Sequence, residues 1–165
     1  MAIKDFTPSQ ETLNELFEYR KGRLFWKISR GSRKAGTEVG TLTPFGYLQT
    51  KINRKLYLVH RLIFLMHHRY LPKIIDHKDG VKTNNAIKNL REANVFNNQY
   101  NRGLPSNNTS GVKGVYWNKE KRRWKAKCNV NGKGYHIGYF TNIEEADKAV
   151  KVFRSQHHGN FAKHK

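Results

Sequence analysis

The sequence predicts an α+β protein built from small antiparallel sheets and short helices. Segments that alternate apolar and polar residues are separated by Gly, Asn and Pro, which is typical of antiparallel strands joined by tight turns. Other segments place apolar residues at helical spacing. The 165 residues suffice for one ordinary domain or two small ones. We therefore expect a small N-terminal antiparallel sheet, a strand-turn-strand-helix motif, and a C-terminal three-stranded sheet packed on one helix.

Residues 1–58 are predicted to begin with a helix and to continue as strands. Thr7 has the chemistry of a helix cap, Pro8 suits the first helical position, and Gln10 completes a capping box, so a helix is expected to about Glu18. Three strands follow in "RLFWKI", "GYLQTKI" and "KLYLVH", the last two joined at Asn53-Arg54. They form a small basic sheet, which either contacts DNA or faces solvent.

Residues 59–101 carry the segment with the most distinctive chemistry. A helix over about 60–68 precedes Pro72, and a strand then leads into Asp76 and His77. A turn at Gly80, a second short strand in "NAIKNL" and a helix over about 93–101 complete the motif. Asp76 and Asn98 can then present oxygen ligands to one divalent cation, while His77, on the opposite side of the strand, faces a substrate.

The remaining residues are predicted to form a linker and a second module. Residues 102–111, "RGLPSNNTSG", are rich in turn-forming residues and separate the modules. Residues 112–165 then contain the strands "VKGVYW", "RRWKAKCNV" and "YHIGYF", with a turn at Asn131-Gly132, and a helix that begins near Thr141. Alternation along the middle strand predicts an apolar face toward the helix and a basic face toward a groove of DNA.

Composition limits the choice of partner and compartment. Thirty-two Lys and Arg against twelve Asp and Glu give a formal net charge of +20, which attracts polyanions, so double-stranded DNA is the expected partner. Binding to a ribosome or a membrane surface is the plainer alternative. The single cysteine, Cys128, excludes an intramolecular disulfide framework and fits a reducing compartment. Neither a secretory leader nor a membrane-spanning segment is predicted, so we expect a cytoplasmic protein.

The Asp-His pair suggests phosphodiester hydrolysis. That reaction needs a base to deprotonate water, a metal to neutralise charge, and a basic surface to hold the nucleic acid. His77 suits the first role, because a neutral imidazole accepts a proton at cellular pH. An amide carbonyl can fix the ring, and Asn89 is the candidate. Two oxygen ligands without a cysteine favour one Mg²⁺ or Mn²⁺ over zinc.

The stretch "VHRLIFL...IIDHKDGVKTNNAIKNLREANVFNNQYN" resembles the HNH endonuclease family, in the branch of phage and intron-encoded homing endonucleases. The resemblance covers residues 59–101. It implies that His77 is the general base, that Asn89 orients it, and that Asp76 and Asn98 bind the metal. The doubled Asn84-Asn85 is carried over as a loop-stabilising pair. The resemblance also implies a divalent cation and a DNA substrate.

Residues from Ser110 to Ala162, "SGVKGVYWNKEKRRWKAKCNVNGKGYHIGYFTNIEEADKAVKVFRSQHHGNFA", resemble the DNA-binding domain of plant apetala and ethylene-response factors. Several arginines typical of those domains are Lys, Tyr or Asn here, so no base preference is transferred. The resemblance implies that eight residues lie against DNA: Lys113, Tyr116, Asn118, Lys125, Lys127, Asn129, His136 and Tyr139.

The sequence thus predicts a monomeric, metal-dependent HNH endonuclease of the homing type. It is expected to nick or cut double-stranded DNA in the cytoplasm of a bacterial host if it is phage-encoded. The alternative is a catalytically inactive DNA-binding regulator that keeps the HNH motif only as a scaffold. An RNA-binding protein is a third possibility, and it predicts a preference for RNA over duplex DNA.

Overall fold

A computed structural model describes residues 8–31 and 33–164 of the chain. The chain forms two compact units that divide between Glu92 and Ala93. Each unit combines short antiparallel sheets with helices, and the second contains a three-stranded sheet packed on a helix. The α+β fold class expected from the sequence is therefore confirmed.

Among its described residues, the first unit contains three small sheets and two α-helices. Strands β1 and β2 form a hairpin, the next three strands form a sheet in the order β3-β4-β5, and β6 pairs with β7. The elements are α1 (Gln10–Leu16), β1 (Phe17–Arg20), β2 (Arg23–Trp26), β3 (Thr41–Leu42), β4 (Leu48–Ile52), β5 (Lys55–Leu58), α2 (Val59–His68), β6 (Ile74–His77), a short 3₁₀ helix (Ile87–Asn89) and β7 (Leu90–Ala93).

Helix α2 is the centre of the first core. Its residues Val59 and Leu62 to Met66 are buried, and they pack with Leu13 of α1 and with Leu24 and Trp26 of β2. The apolar spacing that predicted this helix is therefore the spacing that buries it. The predicted turn at Asn53-Arg54 joins β4 to β5, and both residues have positive φ, as a two-residue hairpin turn requires.

Two local expectations were wrong. Helix α1 starts at Gln10 with Ser9 as its cap and ends at Leu16, because Phe17 onward pairs with β2 instead of continuing the helix. Thr7, the predicted cap, lies outside the described residues. Within the segment "NAIKNL", which was expected to be a strand, Ile87–Asn89 form a 3₁₀ helix and the strand begins only at Leu90. The strand starts late because the Asn89 amide bonds back to the preceding loop.

The second unit contains a sheet in the order β10-β9-β8 and two helices. Its elements are α3 (Val95–Tyr100), β8 (Val115–Asn118), β9 (Arg123–Val130), β10 (Lys133–Phe140), α4 (Ile143–His158) and a 3₁₀ helix (Gly159–Phe161). The predicted turn at Asn131-Gly132 joins β9 to β10 with positive φ at both residues. The predicted apolar face of β9 packs on α4 through Ala126 and Cys128.

Helix α3 belongs to the second unit. The ring of Tyr100 stacks on that of His158, with centroids 3.6 Å apart, and its hydroxyl donates to Asn131 Oδ1 at 3.0 Å. The linker predicted over 102–111 has no helix or strand, whereas the two units divide ten residues earlier. The domain limits inferred from the sequence stay a prediction. No helix in the described part of the chain is both long and apolar enough to cross a membrane.

Candidate active site and nucleic-acid interface

His77 ends strand β6 and is held by an amide from the following loop. Its side chain is only 4% exposed, and its Nε2–H donates to Oδ1 of Asn85 at 2.9 Å. Asn85 is 1% exposed, and its amide nitrogen has no hydrogen-bond partner among the described residues. Buried polar groups normally find partners, so this amide is an exception among the buried side chains of the described residues. The family resemblance had implied only a loop-stabilising role for Asn85.

A second histidine lies beside His77. His60, in the first turn of α2, is 5% exposed, and its ring meets that of His77 edge-on with centroids 5.1 Å apart. The ring of Tyr47 lies beside both histidine rings, with its centroid 5.4 Å from that of His60 and 6.2 Å from that of His77. Burial is the main cause that lowers the pKa of His60 to about 3, and the neighbouring His77 and Arg61 contribute to the same shift. His60 is therefore a neutral ring next to the candidate base.

The loop after His77 is organised by the side chain of Asp79. Its carboxylate accepts hydrogen bonds from the Val81 backbone at 2.8 Å, from Asn84 Nδ2 at 2.6 Å and from Asn89 Nδ2 at 3.0 Å. Burial raises the pKa of Asp79, but these three bonds outweigh it, and the pKa lies below its usual value. Asp79 is thus a turn residue that shapes the loop between His77 and Leu90, as an Asp before Gly suggests.

Asn89 closes the same loop. Its amide nitrogen donates to the Asn84 carbonyl at 2.7 Å, its Oδ1 accepts from the Asp79 backbone at 3.2 Å, and its own carbonyl accepts from Lys78 at 2.9 Å. These bonds position the loop that carries Asn85. The expectation that Asn89 itself orients His77 stays a prediction.

Asp76 precedes His77 and forms a buried ion pair. Its Oδ2 accepts from Arg91 Nε at 2.8 Å and from Arg91 Nη2 at 2.7 Å, with the two side chains 6% and 14% exposed. A buried carboxylate oxygen is a ligand that Mg²⁺ or Mn²⁺ prefers, so the donor chemistry at Asp76 fits the expected cation. Arg91 would share this carboxylate with it. No sequence pattern had indicated that Arg91 pairs with Asp76.

The second predicted metal ligand lies in the other unit. Asn98 is on α3, whose N-cap is Asn94. The pairing of Asn98 with Asp76 at one cation stays a prediction. Among residues 8–31 and 33–164, no cluster of three or more His, Cys, Asp or Glu side chains has the geometry to hold a metal ion.

The exposed face of the C-terminal sheet carries most of the residues predicted to contact DNA. Lys125 is the register partner of both Tyr116 and Tyr139, and its ammonium lies 5.8 Å from each ring. Lys127 on β9 is the register partner of His136 on β10. Asn118 and Asn129 lie on β8 and β9, and Asn118 accepts a bond from the Lys121 backbone at 2.8 Å. Cations and aromatic rings therefore alternate across one face.

Lys113 differs from the other seven predicted contacts. Its ammonium donates to the carbonyls of Tyr100 at 2.9 Å, of Arg102, and of Lys163 at 3.4 Å. Burial lowers the pKa of Lys113 to about 8, and Arg154 and Lys163 add to the effect. These bonds give Lys113 a structural role inside the second unit, and its contact with DNA stays a prediction.

Comparison with known proteins places the first of these sites in a family. Residues 57–100 match the family described as HNH endonuclease. The chain is also 35% identical over 97 residues to "Protein 3.8" of Escherichia phage T7, a match that covers 56% of this chain and 78% of that protein. No solved structure matches the chain significantly. The chain therefore belongs to the same family as Protein 3.8 of Escherichia phage T7 and contains an HNH endonuclease domain at residues 57–100.

Proposed function

We propose that the protein is a metal-dependent DNA endonuclease of the homing type, which acts as a monomer in the cytoplasm of a bacterial host. The observation that carries the proposal is the buried His77–Asn85 hydrogen bond inside the segment matched to HNH endonucleases. An HNH domain implies DNA binding, and the net charge of +20 suits that partner. The reaction is hydrolysis of a phosphodiester bond in one or both strands.

His77 is the general base of the proposed reaction. Because the Asn85 carbonyl oxygen accepts the Nε2–H, the neutral ring carries its lone pair on Nδ1, and Nδ1 takes the proton from the attacking water. Asn85 fixes the ring and its tautomer, in the way that carbonyl acceptors orient catalytic and metal-bound histidines. Asn89 supports the arrangement by holding the loop on which Asn85 lies.

The proposed cation is one Mg²⁺ or Mn²⁺. Asp76 and Asn98 are the residues that would hold it, and the ion pair with Arg91 fixes the Asp76 carboxylate in place. When bound, the cation neutralises charge on the phosphate and on the leaving oxygen. HNH nucleases generally use a divalent metal, which supports this assignment.

The C-terminal unit is proposed to anchor the enzyme on DNA. Its three-stranded sheet packed on one helix supports the resemblance to the apetala and ethylene-response-factor domain, and its exposed face presents Tyr116, Lys125, Lys127 and Tyr139. A sheet with this face can enter the major groove and contact phosphates and base edges. Asn118, Asn129 and His136 extend the same contact surface, whereas Lys113 supports it from inside the unit.

Conversion of supercoiled plasmid that carries phage DNA tests the proposal. The plasmid is incubated with protein in Mg²⁺, in Mn²⁺ and in EDTA, and open-circular and linear products are resolved on a gel. Magnesium-dependent open circles indicate nicking, and linear product indicates double-strand cleavage. His77→Ala should abolish both while DNA binding, measured by gel retardation, is kept. His68→Ala, an exposed histidine at the end of α2, is the matched control and should cleave as the wild type does.

One outcome would replace the proposal. If the wild type binds the plasmid tightly but converts none of it with either metal, the chain is a DNA-binding regulator on an HNH scaffold. Cleavage that survives in His77→Ala would instead reject His77 as the base and leave the nuclease assignment intact.

A further inference from the structure

The turn between β3 and β4 exposes an aromatic ring. Phe45 is 78% exposed, the most exposed of the large apolar side chains in the described part of the chain, and Leu42 at the base of the same turn is 65% exposed. A single exposed apolar residue needs no explanation. The position of Phe45 does need one, because the turn is both rigid and attached to the catalytic loop.

Hydrogen bonds and backbone restrictions fix the turn. The Gly46 N–H donates to the Thr43 carbonyl at 2.9 Å, the Thr43 N–H donates to the Tyr47 carbonyl at 2.7 Å, and the Tyr47 N–H donates to Thr43 Oγ1 at 3.0 Å. Pro44 restricts φ on one side of Phe45, and Gly46 adopts a φ of +81° on the other. The turn therefore presents the ring of Phe45 without first having to become ordered.

Lys82 connects the turn to the candidate active site. Its ammonium donates to the Phe45 carbonyl at 2.9 Å and lies 5.0 Å from the centroid of the Tyr47 ring. Tyr47 in turn contacts His60 and His77, and Lys82 belongs to the loop that holds Asn85. The residue that carries the exposed ring is thus bonded to a cation, and both are linked through Tyr47 to the candidate base.

Resting on the proposed function, we propose that Phe45 is a DNA wedge, whose ring enters the duplex between two base pairs beside the cleaved phosphodiester bond. Apolar side chains that enter in this way unstack a base step, untwist the duplex and kink it by about 20–90°. Lys82 contacts a phosphate next to the opened step. The distortion brings the backbone toward the nearly buried ring of His77, which an undistorted duplex reaches poorly.

The chemistry of the surroundings favours DNA over a protein partner. The cation that supports the turn, Lys82, and the net charge of +20 attract a polyanion. A base pair offers an aromatic face for Phe45 beside a phosphate for Lys82, and one duplex supplies both groups at once. A second copy of the chain would bring an equal positive charge to the same place.

Untwisting of closed circular DNA tests the wedge without knowledge of the cleavage site. Protein is bound in EDTA to the plasmid used for cleavage, a topoisomerase that needs no divalent cation relaxes it, and the linking number is measured after the protein is removed. The wild type should lower the linking number in proportion to the protein bound. At equal occupancy Phe45→Ala should lose this change, and its affinity for DNA should fall about tenfold, as loss of one stacking contact predicts. Phe45→Trp should retain the change.

Leu56→Ala is the matched control, since Leu56 is an exposed apolar residue on β5 and is 58% exposed. It should untwist DNA as the wild type does. An unchanged linking number with the wild type, or equal untwisting by Phe45→Ala, would overturn the wedge. So would a change in oligomeric state caused by Phe45→Ala in gel filtration, because it would make Phe45 a contact between copies. Untwisting without cleavage in magnesium would reject the proposed nuclease and keep the wedge.

Discussion

At the scale of single residues, the candidate active site is defined by buried polar groups around His77. Asn85 holds one ring nitrogen, and His60 packs edge-on against the ring. Nδ1 of His60 and the amide nitrogen of Asn85 are both buried and have no hydrogen-bond partner among the described residues. Such groups each cost stability. Their concentration beside one histidine is what a site built for chemistry, and not for stability alone, would have.

Removing the Asn85 side chain should slow cleavage. In Asn85→Ala the His77 ring loses the acceptor at 2.9 Å, so its orientation and tautomer are no longer fixed. We expect the cleavage rate to fall by about 10–100-fold, the usual effect of losing such an orienting group, with DNA affinity unchanged. Asn84→Ala is the control, because Asn84 is exposed and its side chain bonds Asp79. If both variants lost the same fraction of the cleavage rate, Asn85 would only stabilise the loop and would not orient His77.

His60 should make stability depend on pH. Burial lowers its pKa to about 3, whereas the unfolded chain binds the proton near pH 6.5. The unfolded state therefore binds more protons below pH 6.5, and stability is lost as the pH falls from there toward 3. Between pH 7 and pH 5, the free energy of unfolding should fall by about 2 kcal/mol more in the wild type than in His60→Leu. Urea unfolding at both values measures this difference, and equal falls would contradict it.

At the scale of elements, the β1–β2 hairpin supports the loop between His77 and Leu90, which carries Asn85. The Tyr19 hydroxyl on β1 accepts a hydrogen bond from the Ile87 backbone at 3.0 Å. The hairpin turn contains Gly22, which has a φ of +89°, and a Cβ built there would lie 2.6 Å from the Ala86 backbone nitrogen. A turn distant in sequence thus packs against the residue that follows Asn85. The position of the loop depends on this close approach of two backbones.

Gly22→Ala should consequently be more harmful than an equivalent change in an open turn. Gly36 has a similar φ, +80°, but a Cβ there meets nothing within 4 Å, so Gly36→Ala should cost only about 1 kcal/mol of backbone strain. Gly22→Ala adds a clash with a backbone and should cost about 2 kcal/mol more. Urea unfolding compares the two variants, and the cleavage assay should show a loss for Gly22→Ala only. If Gly22→Ala and Gly36→Ala had similar stabilities, the backbone at Ala86 would have moved to make room for the added methyl group.

At the scale of the whole molecule, the proposed binding of DNA depends on charge and on both units. The HNH segment lies largely in the first unit, and the basic sheet lies in the second. Both belong to a chain with thirty-two cationic side chains and twelve acidic ones. Most of its affinity for DNA should therefore come from phosphate contacts that release counterions.

Affinity should accordingly fall steeply with salt, and the sheet face should account for part of the slope. Each phosphate contact contributes about −0.9 to the slope of log K against log salt, so Lys127→Gln should reduce the slope by about that amount. Lys148→Gln on the exposed side of α4 is the control and should leave the slope unchanged. Gel retardation from 50 to 200 mM salt is a suitable range. Equal slopes in both variants would exclude Lys127 from the interface.

Local sequence patterns predicted most of the helices, strands and turns. They misplaced the ends of those elements that depend on pairing with other parts of the chain. Helix α2, helix α4 and the turns at Asn53-Arg54 and Asn131-Gly132 follow from spacing and turn chemistry, and the structure has them. The end of α1 was missed because Phe17 pairs with Trp26, nine residues away. The second strand of the HNH motif was placed too early, because bonds from the Asn89 side chain hold the preceding residues in a loop.

Periodicity, composition and motif spacing are local properties, so they predicted the fold class, the alternating faces of β9, the charge that attracts DNA and the segment that carries His77. Packing of the folded chain was needed to show that Asn85 holds His77, that His60 is buried beside it and that Arg91 pairs with Asp76. These contacts join residues 8 to 17 positions apart through turns whose geometry depends on packing against other elements. Adjacent asparagines such as Asn84 and Asn85 are chemically identical, so only the fold distinguishes the one that faces the histidine.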